Sequence, residues 1–290
     1  MNFRDFYRAM KIAVAGLLIL ACVSFSAEGQ TPGCGAMPSH FKKLIARDEL
    51  NKGVKAFKST HYDEALCHFQ NATELDSKLL IAKQYLGVAV AQKVVPDLDT
   101  PENLKIAQQA LDIFQEVLAQ DPHDVNSMKQ IAGIDFSIKR LEEAKAWQKK
   151  VLAVDAKDAE AAYVVGVIDG MEAHQNALAV LQRAGIKDDG EGNAKAPAKT
   201  MEAIKAQNGA LVEEALQSLS QAVENRPNYA DAMANLGLVY RRKADLDYGN
   251  EQARLDDVAK AMEWRAKAIS ARKALMEKPG AGSDSAKPQQ

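Results

Sequence analysis

Residues 60–76 read THYDEALCHFQNATELD. At 100° per residue, Ala65, Leu66, Phe69, Ala72 and Leu75 gather on one side, and Asp63, Cys67, Gln70 and Glu74 take the other. The stretch therefore predicts an amphipathic helix. Its landmarks return along the chain. Ala65, Phe69 and Asp76 recur 45 residues later as Ala110, Phe114 and Asp121, and Ala110 and Asp121 recur after 34 more as Ala144 and Asp155. Gly53 and Gly87 are also 34 apart, as are Ala132 and Gly166, while Ala144 to Ala215 and Gly166 to Gly237 span 71. A fixed period of 34, lengthened by 11 in one unit and by 37 in another, is the mark of a repeat architecture.

Composition agrees with a helical array. The 290 residues are 47% hydrophobic, much of it Ala, with only nine Pro and 6% aromatics. Runs such as AQQALDIFQEVLAQ and LVEEALQSLSQAV consist of strong helix formers, and no strictly alternating β-branched run bounded by turns occurs. The fold class is predicted all-α. With 37 Lys+Arg against 39 Asp+Glu, no net charge draws the chain to nucleic acid.

The first 26 residues follow other rules. Arg4, Arg8 and Lys11 precede the apolar run IAVAGLLILACVSF, and small residues follow it, which is the layout of a secretory signal peptide. Residues 1–26 are assigned to that signal, 27–44 to a flexible linker and 278–290 to a disordered tail. The chain is thus expected to be exported, to the periplasm if bacterial. Ile19-Leu20-Ala21-Cys22 offers a competing lipoprotein cleavage box, in which Cys22 would carry lipid and anchor the protein to a membrane. Export permits a disulfide between Cys34 and Cys67.

These repeat landmarks resemble the tetratricopeptide repeat family. YLGVAVAQ and NLGLVY match the Leu-Gly of its first helix, YDEALCHFQNATELD and LEEAKAWQKKVLAVD match its second, and AQDPHD and NRPNYAD match its inter-repeat turn. The first unit has Lys52 where the family has Leu, the third has Ala132 in place of Gly, and the fifth is irregular. The resemblance implies an α-solenoid of about five helix-turn-helix units over residues 45–277: 46–78, 79–124, 125–157, 158–228 and 229–277. The second holds the insert KVVPDLDTPEN, with Thr100 as cap and Pro101 in the first turn. The fourth holds GIKDDGEGNAKAPAKT, read as a mobile loop because it has no periodic apolar residues. Small residues on each first helix would let the second approach closely, and Phe69, Phe114 and Leu219 would fill the gaps between units. Trp147 and Trp264 are read as packing residues.

The resemblance also implies function. First-helix positions that face the groove in the family fall on Asn51, Val54 and Lys58; on Gln84, Tyr85 and Val88; on Asn126, Lys129 and Gln130; on Tyr163; and on Asn235, Leu238 and Arg241. Amide side chains can donate to and accept from a peptide backbone, and Tyr gives rigid contact area. The expectation is a non-catalytic scaffold or assembly factor of the bacterial cell envelope that binds a protein or peptide. The family's carboxylate clamp is not carried over, since Leu50 and Val54 stand where Lys and Asn are needed.

Two alternatives are kept. One is a redox- or metal-responsive module built on Cys34, Cys67 and His68, although no second Cys or His lies three or four residues from Cys67 or His68. The other is an accessory subunit of an envelope enzyme, with the loop at 187–199 as a gate. No phosphate loop, H-E-x-x-H or haem motif occurs in the sequence, so no enzyme activity, cofactor or metal is predicted.

Overall fold

Helix ends need partners for their unpaired N–H groups, and this chain supplies them at regular points. In the computed structural model, which describes residues 39–277, Thr100 accepts from the Asn103 N–H and Pro101 takes the first turn. Asp124 accepts from the Ser127 N–H at 2.8 Å, Asp158 from Glu160 and Ala161, and Asn250 from Ala253. The described residues form ten helices: α1 (Ser39–Lys58), α2 (Tyr62–Leu75), α3 (Leu80–Ala91), α4 (Pro101–Gln120), α5 (Val125–Ser137), α6 (Leu141–Val154), α7 (Ala159–Arg183), α8 (Ala198–Asn225), α9 (Ala230–Leu246) and α10 (Glu251–Met276). Among the described residues there is no strand. The fold is an all-α helical repeat.

The signal segment, Cys22, Cys34 and the tail at 278–290 lie outside the described residues. The linker expected over 27–44 needs correction at its end, because α1 already begins at Ser39. The Gly and Pro residues that suggested a linker stop at Pro38, and SHFKKLIARDEL after it is helix-compatible.

The chain divides into two compact units at Trp147/Gln148. In the first, α1 packs on α2, α2 on α3, α3 on α4 and α4 on α5, and the first helices α1, α3 and α5 are successive neighbours. In the second, α7 packs on α8, α8 on α9 and α9 on α10, with α7 beside α9.

Glycine decides how closely each hairpin closes. A Cβ on Gly53 would lie 2.5 Å from the Phe69 ring, and one on Gly87 would lie 2.7 Å from the Phe114 ring. Both rings are buried. Phe69 and Phe114 thus lie directly over the glycine of their own hairpin, a tighter arrangement than filling the space to the next unit. Phe69 also stacks on Tyr85 of the following hairpin at 5.3 Å. Burying such a ring contributes about 2–3 kcal/mol. Trp147 packs against the core formed by Val94, Phe114, Ile131 and Ile134.

The two inserts are absorbed differently. The first becomes the loop at 92–100, tied down by Asn103, whose side chain accepts from the Val95 N–H at 2.8 Å and donates to the Val95 and Leu98 carbonyls at 2.9 and 2.7 Å. Asn103 is buried, so Asn103→Ala leaves those backbone groups without their partner. It is expected to destabilise the protein by about 2–3 kcal/mol in urea unfolding; a loss below the resolution of the method would mean that water replaces the side chain.

Much of the second insert lengthens helices. α7 has 25 residues and α8 has 28, against 14 in α2 and 13 in α5. Gly185, at φ 69°, ends α7, and the Ile186 N–H closes that end on the Leu181 carbonyl at 3.0 Å. Ala196 then enters a core with Leu181, Met201 and Ile204, against which Ile186 packs.

Candidate partner-binding face

The first helices α1, α3 and α5 lie side by side, so residues on their shared side can act together. Asn51, Lys58 and Asn126 are exposed, and Gln84, Tyr85, Lys129 and Gln130 are half-buried. Gln84 is held by its amide, which donates to Asp124 Oδ2 at 2.9 Å. The Asp124 carboxylate therefore caps α5 and holds the Gln84 amide at once.

His68, singled out beside Cys67 in the sequence, belongs to an ion-pair cluster on the first hairpin. Its Nδ1 is 2.8 Å from Glu49 Oε2. The Lys52 Nζ donates to Glu49 at 3.0 Å and the Asn71 amide at 3.3 Å. Burial works against the Glu49 charge, but the hydrogen bonds from His68, Lys52 and Asn71 outweigh it and hold its pKa below the ordinary value. Sequence reasoning missed Glu49, whose only signal was its place on the helix facing His68. Cys67 is exposed, and Cys34 lies outside the described residues. Among the described residues no three His, Cys, Asp or Glu side chains converge as a metal set, and no helix is long and apolar enough to cross a membrane.

The positions projected onto the second unit are placed otherwise. Tyr163, expected on the open side, is buried at 4% exposure. Its ring meets that of Tyr229 at 4.8 Å, and the Asn235 amide reaches its hydroxyl at 3.5 Å while donating to the Asp231 carbonyl at 2.9 Å. Arg226 stands over the Tyr229 ring at 4.4 Å. Burial raises both phenols well above the usual tyrosine range. The expected binding residues Tyr163 and Asn235 engage one another.

Arg241 is also occupied: its Nη1 donates to the Gly190 carbonyl at 2.7 Å. Gly190 lies in the insert centre, which is fixed where a mobile loop was expected. The Arg242 Nη2 contacts both Asp188 oxygens, at 3.0 and 2.9 Å, and its Nη1 lies 3.1 Å from Asp245 Oδ2. Asn193 donates to Asp188 at 3.0 Å and to Asp245 at 2.9 Å. Arg254 on α10 donates to the Glu191 carbonyl. The loop is anchored by charge and amides, which explains why a search for periodic apolar residues could not see the anchoring.

This clasp has a pH signature. Burial, opposed by Arg242 and Asn193, pushes the Asp245 carboxyl up to about 6. Burial, opposed by Arg140, does the same to Asp135, also to about 6. Between about pH 4 and 6 such groups bind protons more tightly folded than unfolded, so stability falls as pH rises through that window. Asp188 and Glu49 carry lowered pKa values, and their contribution is lost as pH falls below about 4. The thermal midpoint is expected to be higher at pH 5 than at pH 7.5, and to drop again in stronger acid. Asp135→Asn with Asp245→Asn should flatten the upper limb; a wild-type profile already flat there would contradict the assignment.

Comparison with known proteins places the chain. Residues 107–168 match the model of the tetratricopeptide repeat. MamA from Desulfovibrio magneticus RS-1 superposes with a TM-score of 0.53 at 17% identity, over 79% of this chain and 96% of that one. Another MamA structure gives 0.52 at 12% identity, over 81% and 96%. YrrB, described as a TPR protein with an unusual peptide-binding site, gives 0.50 at 18% identity, over 81% and 95%. At these identities the likeness is one of fold. No curated protein matches the chain significantly.

Proposed function

We propose, from the tetratricopeptide repeat match over residues 107–168, that this chain is a non-catalytic scaffold or assembly factor of the bacterial cell envelope that binds a protein or peptide through the inner face of its first unit. The observation that carries this reading is the contrast between the units. On α1, α3 and α5, Asn51, Lys58 and Asn126 remain exposed beside half-buried Gln84 and Tyr85, whereas Tyr163, Asn235 and Arg241 are used internally. Amides flanking a tyrosine on adjacent helices suit an extended peptide, whose backbone both donates and accepts. The peptide-binding site in the description of YrrB supports a peptide as ligand.

Export is part of the proposal and rests on the first 26 residues. The mature chain would reside in the periplasm, or on a membrane if Cys22 is lipidated. Fractionation and N-terminal mass spectrometry separate these, and an intact N-terminus in the cytosol would overturn export.

The binding face is tested by crosslinking and affinity capture from the envelope fraction, using the wild type and an Asn51→Ala, Lys58→Glu, Asn126→Ala variant. All three positions are exposed, so helicity should be unchanged. Partners captured by the wild type should fall by roughly 10-fold or more; equal recovery of every partner would sink the assignment of this face.

A further inference from the structure

The segment between α7 and α8 lies against α9 more closely than its polar sequence suggests. A Cβ on Gly192, at φ 93°, would lie 2.7 Å from the Ala244 carbonyl oxygen, so the two backbones are in close approach. Beside that approach two guanidiniums end on loop carbonyls, Arg241 on Gly190 and Arg254 on Glu191. Arg241 holds a groove-facing position by repeat phase, and the loop withholds it.

The latch under these contacts has one positive charge for two carboxylates. Arg242, Asn193 and Asp245 are each exposed by no more than 4%, and the single guanidinium serves Asp188 and Asp245 together. It donates to both Asp188 oxygens. The buried Asp245 Oδ2, although 3.1 Å from Arg242 Nη1, receives no hydrogen bond from any described residue. Asp189 adds a further negative charge acting on Asp245. A closed site with such an imbalance favours taking up a proton, whereas opening the loop would return Asp245 to water, where its charge is solvated.

The other charges around the latch limit the effect. Burial works against the Asp188 charge, but Arg242, Asn193 and the Gly190 N–H outweigh it and lower its pKa, so its contribution to closure is lost only below about pH 4. His174 on α7 has its pKa lowered by burial and by Arg242. Its protonation therefore favours opening as the pH falls, which opposes Asp245, but the residue is exposed and its share is the smaller one. Arg254 pairs with Glu251 on α10, and Lys205 on α8 acts on the neighbouring Asp247.

We infer that residues 184–197 form a proton-operated strap, latched by Arg242 and Asp245, which holds Arg241 in mild acid and loosens as the pH rises to neutrality. The strap belongs to the second unit and does not depend on the peptide face proposed for the first.

Amide hydrogen exchange on the full chain at pH 5 and pH 7.5, corrected for the intrinsic pH dependence of exchange, tests this. The Asn193 and Ala196 amides are bonded within the loop, to the Asp189 carboxylate and the Asn193 carbonyl. Their protection should fall roughly 10-fold from the lower pH to the higher, the ratio expected when a carboxyl is moved from its ordinary range to about 6. Amides in α2 and α8 should keep theirs. Asp245→Asn should give the same loop protection at both pH values, and His174→Gln should enlarge the fall. Gly192→Ala, which pushes the loop away from Ala244, should lower protection at both, and phenylglyoxal should then label Arg241 faster than in the wild type at pH 7.5. Loop protection that is unchanged with pH in the wild type would overturn the inference. So would a fall shared equally by α8, which would mean that the whole unit opens, or a fall that persists in Asp245→Asn.

Discussion

Replacing Arg242 with Met should cost about 3–5 kcal/mol and be among the most damaging single changes in the second unit. Arg242 is only 4% exposed, and it neutralises Asp188 and the fully buried Asp245 together. Without it, two carboxylates share a buried site with only Asn193 to donate to both. Urea unfolding measures the loss. Trypsin cleavage near Lys187 and Lys195, on the loop that Arg242 holds, reports whether the loop is released. The charge argument makes a sharper demand than destabilisation alone: adding Asp188→Asn and Asp245→Leu to Arg242→Met should recover much of the stability, because removing a buried charge cluster whole is far less damaging than removing one member. If the triple variant is no better than the single one, the loss is one of packing, not charge.

The second large effect is expected at Gly166. A Cβ there would lie 2.6 Å from Leu219 Cγ, 3.0 Å from the Ala215 carbonyl oxygen and 3.1 Å from the Leu219 nitrogen. Two of these neighbours are backbone, so α7 and α8 would have to separate. Gly166→Ala should therefore destabilise by about 2–3 kcal/mol, despite the roughly 1 kcal/mol that Ala gains over Gly inside a helix. Gly209 on α8 provides the contrast, since nothing lies within 4 Å of its would-be Cβ. Gly209→Ala should raise stability by about 1 kcal/mol. Opposite signs in chemical denaturation are the expected result. Equal signs would show that helix propensity, and not interhelical distance, governs these glycines.

Much of the repeat was legible because its requirements are local. Gly53, Gly87 and Gly166 advertise close crossings, and Thr100-Pro101 advertises a helix start; the structure places buried rings over the first two glycines and the cap where the sequence puts it. Exposure of the first-helix positions was legible where the chain repeats without interruption, at Asn51, Lys58 and Asn126. That exposure was misjudged where a constant phase met a non-constant chain. Projecting that phase onto Tyr163 and Arg241 ignored what the fourth unit's insert and the following turn could cover. Tyr229 comes over Tyr163, and the insert loop takes Arg241. Neither contact leaves a periodic trace, because each joins residues more than 50 positions apart through one ring or one guanidinium. The same locality hid Glu49 as the partner of His68, a pairing made across a hairpin and not along a helix.

The clasp also sets an order on assembly. In the first unit, the contacts that close a hairpin, such as Phe69 over Gly53 and Phe114 over Gly87, join residues 16 and 27 positions apart. They can form soon after each segment leaves the ribosome. The loop around Asp188 and Asn193 is closed locally by hydrogen bonds such as Asn193 to Asp188, but the charges it carries are not met within the hairpin. Its principal anchors are Arg242 and Asp245, more than 50 residues downstream, so α7 and α8 must wait for α9 before the segment between them is secured. Until residue 245 has emerged that segment is open to proteases, and the vulnerable interval in the birth of this protein falls near the end of its synthesis.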